Sequence, residues 1–278
     1  MEEVLKAIEK RRSCKRYKSD QLVPKDLIEK IVHAGTLAAN GKVNPKNDEI
    51  IKKARAMGHY VFVNSGRARS FINDELIGGI AFDGFISGIG SQVDVGDKTI
   101  FEQFISPEFV YECAKRFHDS GKCYSFSGHE NTFVRNPFPY FLRWGFPAIE
   151  DFEDFNGKYK NAKIQKIEIF AGNVSDEDKH FLAKETDLYD HGYYIECVKK
   201  GCSKSRAMGV ALEYLGIKKE NSIAIGDSLN DIDMLKNAGI AVAVANAVPE
   251  VKVLADFISV SCDDGGVGYA IEKLVLKE

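Results

Sequence analysis

Ile223-Ala-Ile-Gly-Asp-Ser-Leu-Asn-Asp231-Ile-Asp-Met234 decides the fold. Its opening apolar run, Ser222–Ile225, has the length of a buried strand. Gly226 permits a sharp turn, three polar side chains follow at Asp227, Asn230 and Asp231, and a helix is expected over Asp231–Ala238. Gly239 closes that helix and Ile240–Val244 reads as a second strand. Strand–helix–strand units of this length specify a parallel sheet with helices on its faces. Ligands of such sheets bind beyond the carboxyl ends of the strands, where Asp227, Asn230 and Asp231 fall. Carboxylate and amide oxygens suit Mg²⁺, which takes hard oxygen ligands. The competing structural reading is that Asn230 or Asp231 caps the following helix.

The same alternation extends outward on both sides. Ser203–Leu215 is an amphipathic helix with Ala207, Met208, Ala211, Leu212 and Leu215 on one face. Asp48–Met57 is a helix ending at Gly58, Tyr60–Asn64 a β-rich run stopped by Ser65-Gly66-Arg67, and Ile77–Ile89 a set of short strands and tight turns. The middle of the chain, from about 104 to 186, is more aromatic and irregular. It carries strand candidates at Cys123–Phe126 and Lys163–Ala171 and helix candidates at Pro107–Ser120 and Ser175–Glu185. The fold class expected is therefore α/β, a parallel-sheet core over 43–103 and 187–278 interrupted by a second domain over 104–186.

Composition narrows the function. The 278 residues are 44% apolar and 28% charged, ordinary for a globular protein, and the net charge of −3 gives no basic excess for nucleic-acid phosphates. No apolar run reaches the roughly 18 residues that a membrane span needs. Six cysteines without a CxxC pair read as reduced thiols, so a cytoplasmic location is expected.

Gly226-Asp-Ser-Leu-Asn-Asp231 and the following Asn237-Ala-Gly-Ile-Ala-Val-Ala-Val-Ala-Asn-Ala-Val-Pro-Glu-Val-Lys-Val-Leu-Ala-Asp-Phe-Ile-Ser259 resemble the haloacid dehalogenase superfamily, in its Cof-type phosphatase branch. Two further segments are similar to that family: Gly201-Cys-Ser-Lys204, and Val61-Phe-Val-Asn-Ser65-Gly-Arg67. The resemblance implies Asp227 and Asp231 as metal residues, Mg²⁺ as cofactor, and catalytic roles for Lys204 and Ser65. It also implies that Ser65, Gly66, Arg67, Lys204 and Asn230 contact a small phosphorylated metabolite. The inserted domain then corresponds to the family's cap, with the aromatic stretch Phe138–Phe146 read chiefly as cap core.

The family's chemistry begins with Asp-x-Asp-Gly-Thr, whose first aspartate attacks phosphorus and whose second moves protons. Here the corresponding segment is Val32-His33-Ala34-Gly35-Thr36, and neither Val32 nor Ala34 can do either task. Asp83 in Phe82-Asp83-Gly84 is the nearest substitute, but its place before the inserted domain argues against a nucleophile. The opening residues, Ile8 to Tyr17 and Val23 to Thr36, resemble the start of FMN-dependent nitroreductases. In that reading Arg11 and Ser13 match residues that hold the flavin phosphate; nothing later matches the remaining flavin site, so FMN binding is not expected. The expectation is a Mg²⁺-dependent phosphatase by ancestry with little turnover, or else a phosphate- or Mg²⁺-binding protein without turnover, or a relic fusion. The segment 26–34 is left between a helix and the central strand.

Overall fold

A computed structural model describes residues 44–136, 145–170 and 174–276. The segment 1–42, expected to be nitroreductase-like, the positions 32 and 34, and the helix-or-strand question at 26–34 lie outside the described residues.

Helix α1 (Pro45–Ala56) opens the described chain, with the Asn44 side chain accepting from the Lys46 N–H and proline in its first turn. These two residues start the helix ahead of the expected Asp48, because the first N–H groups of a helix lack intrahelical partners and Asn44 supplies one. Strand β1 (Phe62–Asn64) follows, then a short helix α2 (Asp74–Ile77). Strands β2 (Gly84–Ser87), β3 (Gln92–Val95) and β4 (Lys98–Glu102) complete one sheet in the order β1-β2-β3-β4. β1 and β2 are parallel; β3 and β4 run as antiparallel additions.

The insertion starts with α3 (Pro107–Phe117), capped by Ser106, and β5 (Cys123–Gly128) and β6 (Thr132–Arg135). It continues through β7 (Ile164–Phe170), α4 (Asp176–Leu182), β8 (Thr186–Asp190) and β9 (Tyr194–Lys199). These five strands form one antiparallel sheet, β6-β5-β7-β9-β8. The division expected at 186–187 therefore falls inside this sheet, because β9 pairs with β7 along Lys166–Phe170. Strand alternation puts Tyr124, Phe126, Ile167, Ile169, Ile195 and Cys197 on one face. There they pack with Phe109, Cys113, Phe117 and Leu182 of α3 and α4. The other face is mixed: Ser125, Ser127, Lys166, Glu168 and Glu196 lie beside Cys123, Val134, Phe170 and Val198.

The chain returns through α5 (Lys204–Leu215), β10 (Ile223–Gly226), α6 (Ile232–Lys236), β11 (Ile240–Ala243), α7 (Pro249–Lys252), β12 (Phe257–Ile258) and α8 (Gly266–Ile271). β10, β11 and β12 form a parallel sheet. Its apolar core joins Ala224, Ala241 and Ala243 to Met234, Leu235 and Val251. The strand–helix–strand reading of 222–244 holds to within two residues at each boundary. Ala207 and Ala211 of α5 pack on Ile86 and Val93 of the first sheet, so α5 bridges the two parallel units. Among the described residues β1 pairs only with β2 and β10 only with β11.

The five described cysteines are buried and none forms a disulfide. No helix of the described residues is long and apolar enough to cross a membrane.

Candidate active site

Strand tips, one helix start and one tight turn converge on a small polar region. Gly226 ends β10 and must be glycine: a Cβ there would lie 2.6 Å from Cβ of Asp231 and 2.9 Å from its Cγ. The side chain of Asp231 thus folds back over the strand end. Its Oδ2 accepts from the backbone N–H groups of Asp227 (3.1 Å) and Ser228 (3.0 Å) and from the Ser228 hydroxyl (3.1 Å). These bonds satisfy donors at the start of the next turn, in a capping-box arrangement. The other oxygen, Oδ1, receives the ammonium of Lys204 at 2.6 Å. Both residues are 4% exposed. Burial on its own would raise the Asp231 carboxyl pKa, but the Lys204 charge and hydrogen bond, with the two N–H donors, hold it below the ordinary value.

Lys204 is the first residue of α5, directly after Ser203, whose hydroxyl accepts from the Arg206 N–H. The β1 tip is tied to this helix start by Asn64, whose amide nitrogen donates to the Lys204 carbonyl at 3.2 Å. The next residue, Ser65, is buried; its Oγ accepts from the Arg67 N–H at 3.1 Å, which leaves the hydroxyl proton for a further acceptor. Gly66 sits beside Asn230, with 3.8 Å between its Cβ position and Nδ2. The guanidinium of Arg67 lies 5.7 Å over the Phe71 ring. Ser65, Gly66, Lys204, Asn230 and Asp231 are in this way linked through direct contacts, and Asp227 stands half-buried at the same strand tip.

The sequence reading of Asp231 as a metal residue is not how the side chain is used. Both of its oxygens are engaged by protein donors, and the helix-cap reading describes it better. Asn230 is exposed, and its Oδ1 shares the single Ser228 hydroxyl proton with Asp231 Oδ2. Among the described residues no group of three or more His, Cys, Asp or Glu side chains is placed to hold a metal ion. Mg²⁺ is commonly held by one or two carboxylates, with waters and phosphate oxygens completing its shell, and Asp227 is the described carboxylate at this strand tip that would serve it.

Asp83 is removed from consideration as a nucleophile. Its carboxylate takes a bidentate grip from Arg55, at 3.0 and 2.8 Å, and also accepts the Val61 N–H at 2.8 Å. It locks α1 to the start of the β1 segment. Of the aromatic stretch 138–146, Phe146 is described and makes an edge contact with Phe71 at 4.9 Å. It packs beside Cys123, Val134 and Phe170.

One contributor was missed from the sequence. Ile89 has φ +55°, in the left-handed region that a β-branched side chain rarely adopts. Its N–H donates to the Ser65 carbonyl, its Cγ1 lies 3.5 Å from the Gly66 Cβ position, and it packs on Val198 and Cys202. Flanking glycines were the available signal. Gly90 has φ +89°, and a Cβ there would lie 2.2 Å from the Ser203 carbonyl oxygen, so this turn is pressed against the start of α5.

Residues 35–271 match the family described as haloacid dehalogenase-like hydrolase. The Bacillus subtilis (strain 168) protein YkrA is 26% identical over 252 residues, covering 87% of this chain and 95% of that protein. A second protein of the same organism, the 5-amino-6-(5-phospho-D-ribitylamino)uracil phosphatase YcsE, is 28% identical over 241 residues, 84% of this chain and 89% of its own length. Among solved structures, the subclass IIB sugar phosphatase BT4131 superposes with a TM-score of 0.68 at 25% identity, covering 85% of this chain and 94% of that one. The strand-tip cluster, the buried lysine, the serine turn and the family match over 35–271 agree, and the chain belongs to the haloacid dehalogenase-like hydrolases.

Proposed function

We propose that this chain binds small phosphorylated metabolites at the Ser65–Lys204–Asp227 cluster and hydrolyses them slowly or not at all. The observation that carries the reading is Lys204: a cation 4% exposed, paired with Asp231, at a helix start hydrogen-bonded to the β1 tip. Ser65 supplies a hydroxyl donor, and the Ser65–Arg67 turn brings backbone beside it. Those groups recognise an oxyanion without any covalent step.

Turnover asks for more. A phosphoryl transfer through an enzyme ester needs a nucleophilic side chain and a proton carrier within reach. The sequence has valine and alanine at 32 and 34. Asp83 is committed to Arg55, and Asp231 to Lys204. Asp227 is the described carboxylate that a Mg²⁺ ion would use, with waters and phosphate oxygens filling the rest of its shell.

The test is hydrolysis of p-nitrophenyl phosphate with Mg²⁺ by the wild type, Asp227→Asn and the Val32→Asp/Ala34→Asp double variant. Silence in the wild type with activity in the double variant supports a binding scaffold that lacks its reactive carboxylates. Wild-type hydrolysis abolished by Asp227→Asn overturns the low-turnover reading and makes the chain a working phosphatase.

A further inference from the structure

Gln165, near the start of β7, is 0% exposed, and both protons of its amide are in use. Its Oε1 accepts from the Arg69 N–H at 2.7 Å. Its Nε2 donates to Ser87 Oγ at 3.1 Å and to Gln92 Oε1 at 3.0 Å. β7 belongs to the inserted sheet, whereas Ser87 ends β2, Gln92 opens β3 and Arg69 follows the serine turn. One side chain of the insertion therefore joins three separate segments outside it.

Two of those segments shape the surroundings of Ser65. The Ser65 N–H donates to the Ile86 carbonyl at 2.8 Å, the Ile89 N–H to the Ser65 carbonyl at 3.2 Å, and the Gly88 N–H to the Arg67 carbonyl at 2.6 Å. Residues 65–67 and 86–89 are thus zipped together, and Gln165 spans the end of the zip with Arg69 on one side and Ser87 on the other. The approach is close: Gly88 has φ +57°, and a Cβ there would lie 2.9 Å from Cβ of Gln165. The network also returns to Arg69. Gln92 Nε2 donates to both oxygens of Asp94, at 2.8 and 2.9 Å, and Asp94 faces the Arg69 guanidinium at 3.4 Å. Thr99 Oγ1 donates to Asp94 at 2.7 Å, and His129 Nδ1 meets Gln92 Oε1 at 2.8 Å.

The side chain and the backbone of Arg69 are held by different groups. Asp94, the Ile72 carbonyl at 2.7 Å and the Phe85 ring at 4.9 Å fix the guanidinium, at the far end of a flexible stem. Gln165 fixes the backbone N–H itself, beside Ala68, which is 0% exposed. Without that acceptor the N–H must stay unpaired, at a cost, or shift toward water. Such a shift would carry Arg67 and the Ser65 turn with it.

We propose that Gln165 is a positioning residue for oxyanion binding, holding the Ser65–Arg67 turn in its binding shape through Arg69 and Ser87. This rests on the phosphate-binding reading of Ser65 and Lys204. The effect is the same whatever the phosphate is attached to. A released turn spends part of its time with the Ser65 hydroxyl misdirected, and apparent affinity falls with the competent fraction.

Inorganic phosphate, which carries no ester group, is the probe. Calorimetric titration compares full-length wild type, Gln165→Met, Ser87→Ala and Thr132→Val, with circular dichroism to verify folding. Methionine keeps the length of the side chain and removes its three hydrogen bonds. Thr132→Val breaks a 3.1 Å hydroxyl contact with Ser70 in the same interface but leaves the Gln165 bonds intact. Gln165→Met should weaken phosphate about tenfold and Ser87→Ala about threefold, while Thr132→Val should stay within about twofold of wild type. Hydrogen exchange of the phosphate-free proteins, read by mass spectrometry, gives the second readout. Gln165→Met should speed exchange over 65–71 and 86–90 and leave α1 and α6 unchanged, whereas a general loss of stability would speed all four.

Unchanged phosphate affinity in folded Gln165→Met overturns the proposal. So does an equal loss in Thr132→Val, or a loss without faster exchange in those two segments. If Gln165→Met does not fold, Ser87→Ala decides by the same two readouts. Should wild type fail to bind inorganic phosphate, the phosphate reading falls and exchange alone judges Gln165. Faster exchange confined to 65–71 and 86–90 then upholds its hold on the turn; uniform or unchanged exchange overturns it.

Discussion

Lys204 and Asp231 sit 2.6 Å apart with both side chains almost wholly out of solvent, and each is the other's counter-charge. Removing one partner of such a pair leaves a buried charge uncompensated, at a cost of about 3–5 kcal/mol. Lys204→Met and Asp231→Asn should each lower stability by that order, Asp231→Asn less where its amide oxygen still accepts the Asp227 and Ser228 N–H groups. The double variant should cost clearly less than the two single changes together. Urea unfolding of all four proteins in a double-mutant cycle measures the coupling.

Ser65 contributes at the other side of the cluster. Its hydroxyl already accepts from Arg67, so Ser65→Ala removes both that bond and the donor available to an oxyanion. Inorganic phosphate affinity should fall about tenfold, with a stability loss near 1 kcal/mol. Calorimetry and urea unfolding on one preparation separate the two effects.

Arg55 and Asp83 are a fastening between α1 and the strand it precedes, away from the cluster. Asp83→Asn should cost about 1–2 kcal/mol, discounted for the partial exposure of both side chains. Phosphate affinity of the folded variant should not change. A parallel loss of phosphate binding would contradict the purely structural role assigned to Asp83.

Acid should weaken the cap through Glu196, although this carboxylate takes up its proton only after ordinary surface carboxylates have done so. Burial alone would raise the Glu196 carboxyl, yet Lys166, with the His191 contact, holds it down to about 2. A depressed folded pKa means that the stabilisation is complete above the unfolded value, about 4.3. It is lost as pH falls toward 2, at up to about 1.4 kcal/mol per pH unit. Glu196→Gln should remove that slope, so unfolding free energies of wild type and variant should converge between about pH 4.3 and 2.

Much of the architecture was written in local patterns. Apolar runs with neighbouring glycines located β10 and β11, and serine and proline marked the starts of α3, α4 and α5; α1, expected from Asp48, begins earlier, at Pro45. β8 and β9 were harder. Asp187, Asp190 and Glu196 interrupt the alternation, and only pairing with β7 makes those segments strands. The site residues were visible as types at strand tips, but the partners of Asp231 were not. Whether a carboxylate meets a metal or a lysine depends on where Lys204, 27 positions earlier, is brought by α5. Ile89 had no apolar periodicity to betray it, because its conformation is fixed by the Ser65 carbonyl and the packing of Val198.

That isoleucine imposes two demands that no ordinary residue meets together. Glycine would relax the backbone but empty the contact with Val198 and Gly66, and any other side chain would keep the strain while changing the fit. The position is therefore close to a mutational dead end. The turn that presents Ser65 and the sheet that carries Glu168 and Glu196 are inherited through it as one unit, and cannot drift apart by small steps.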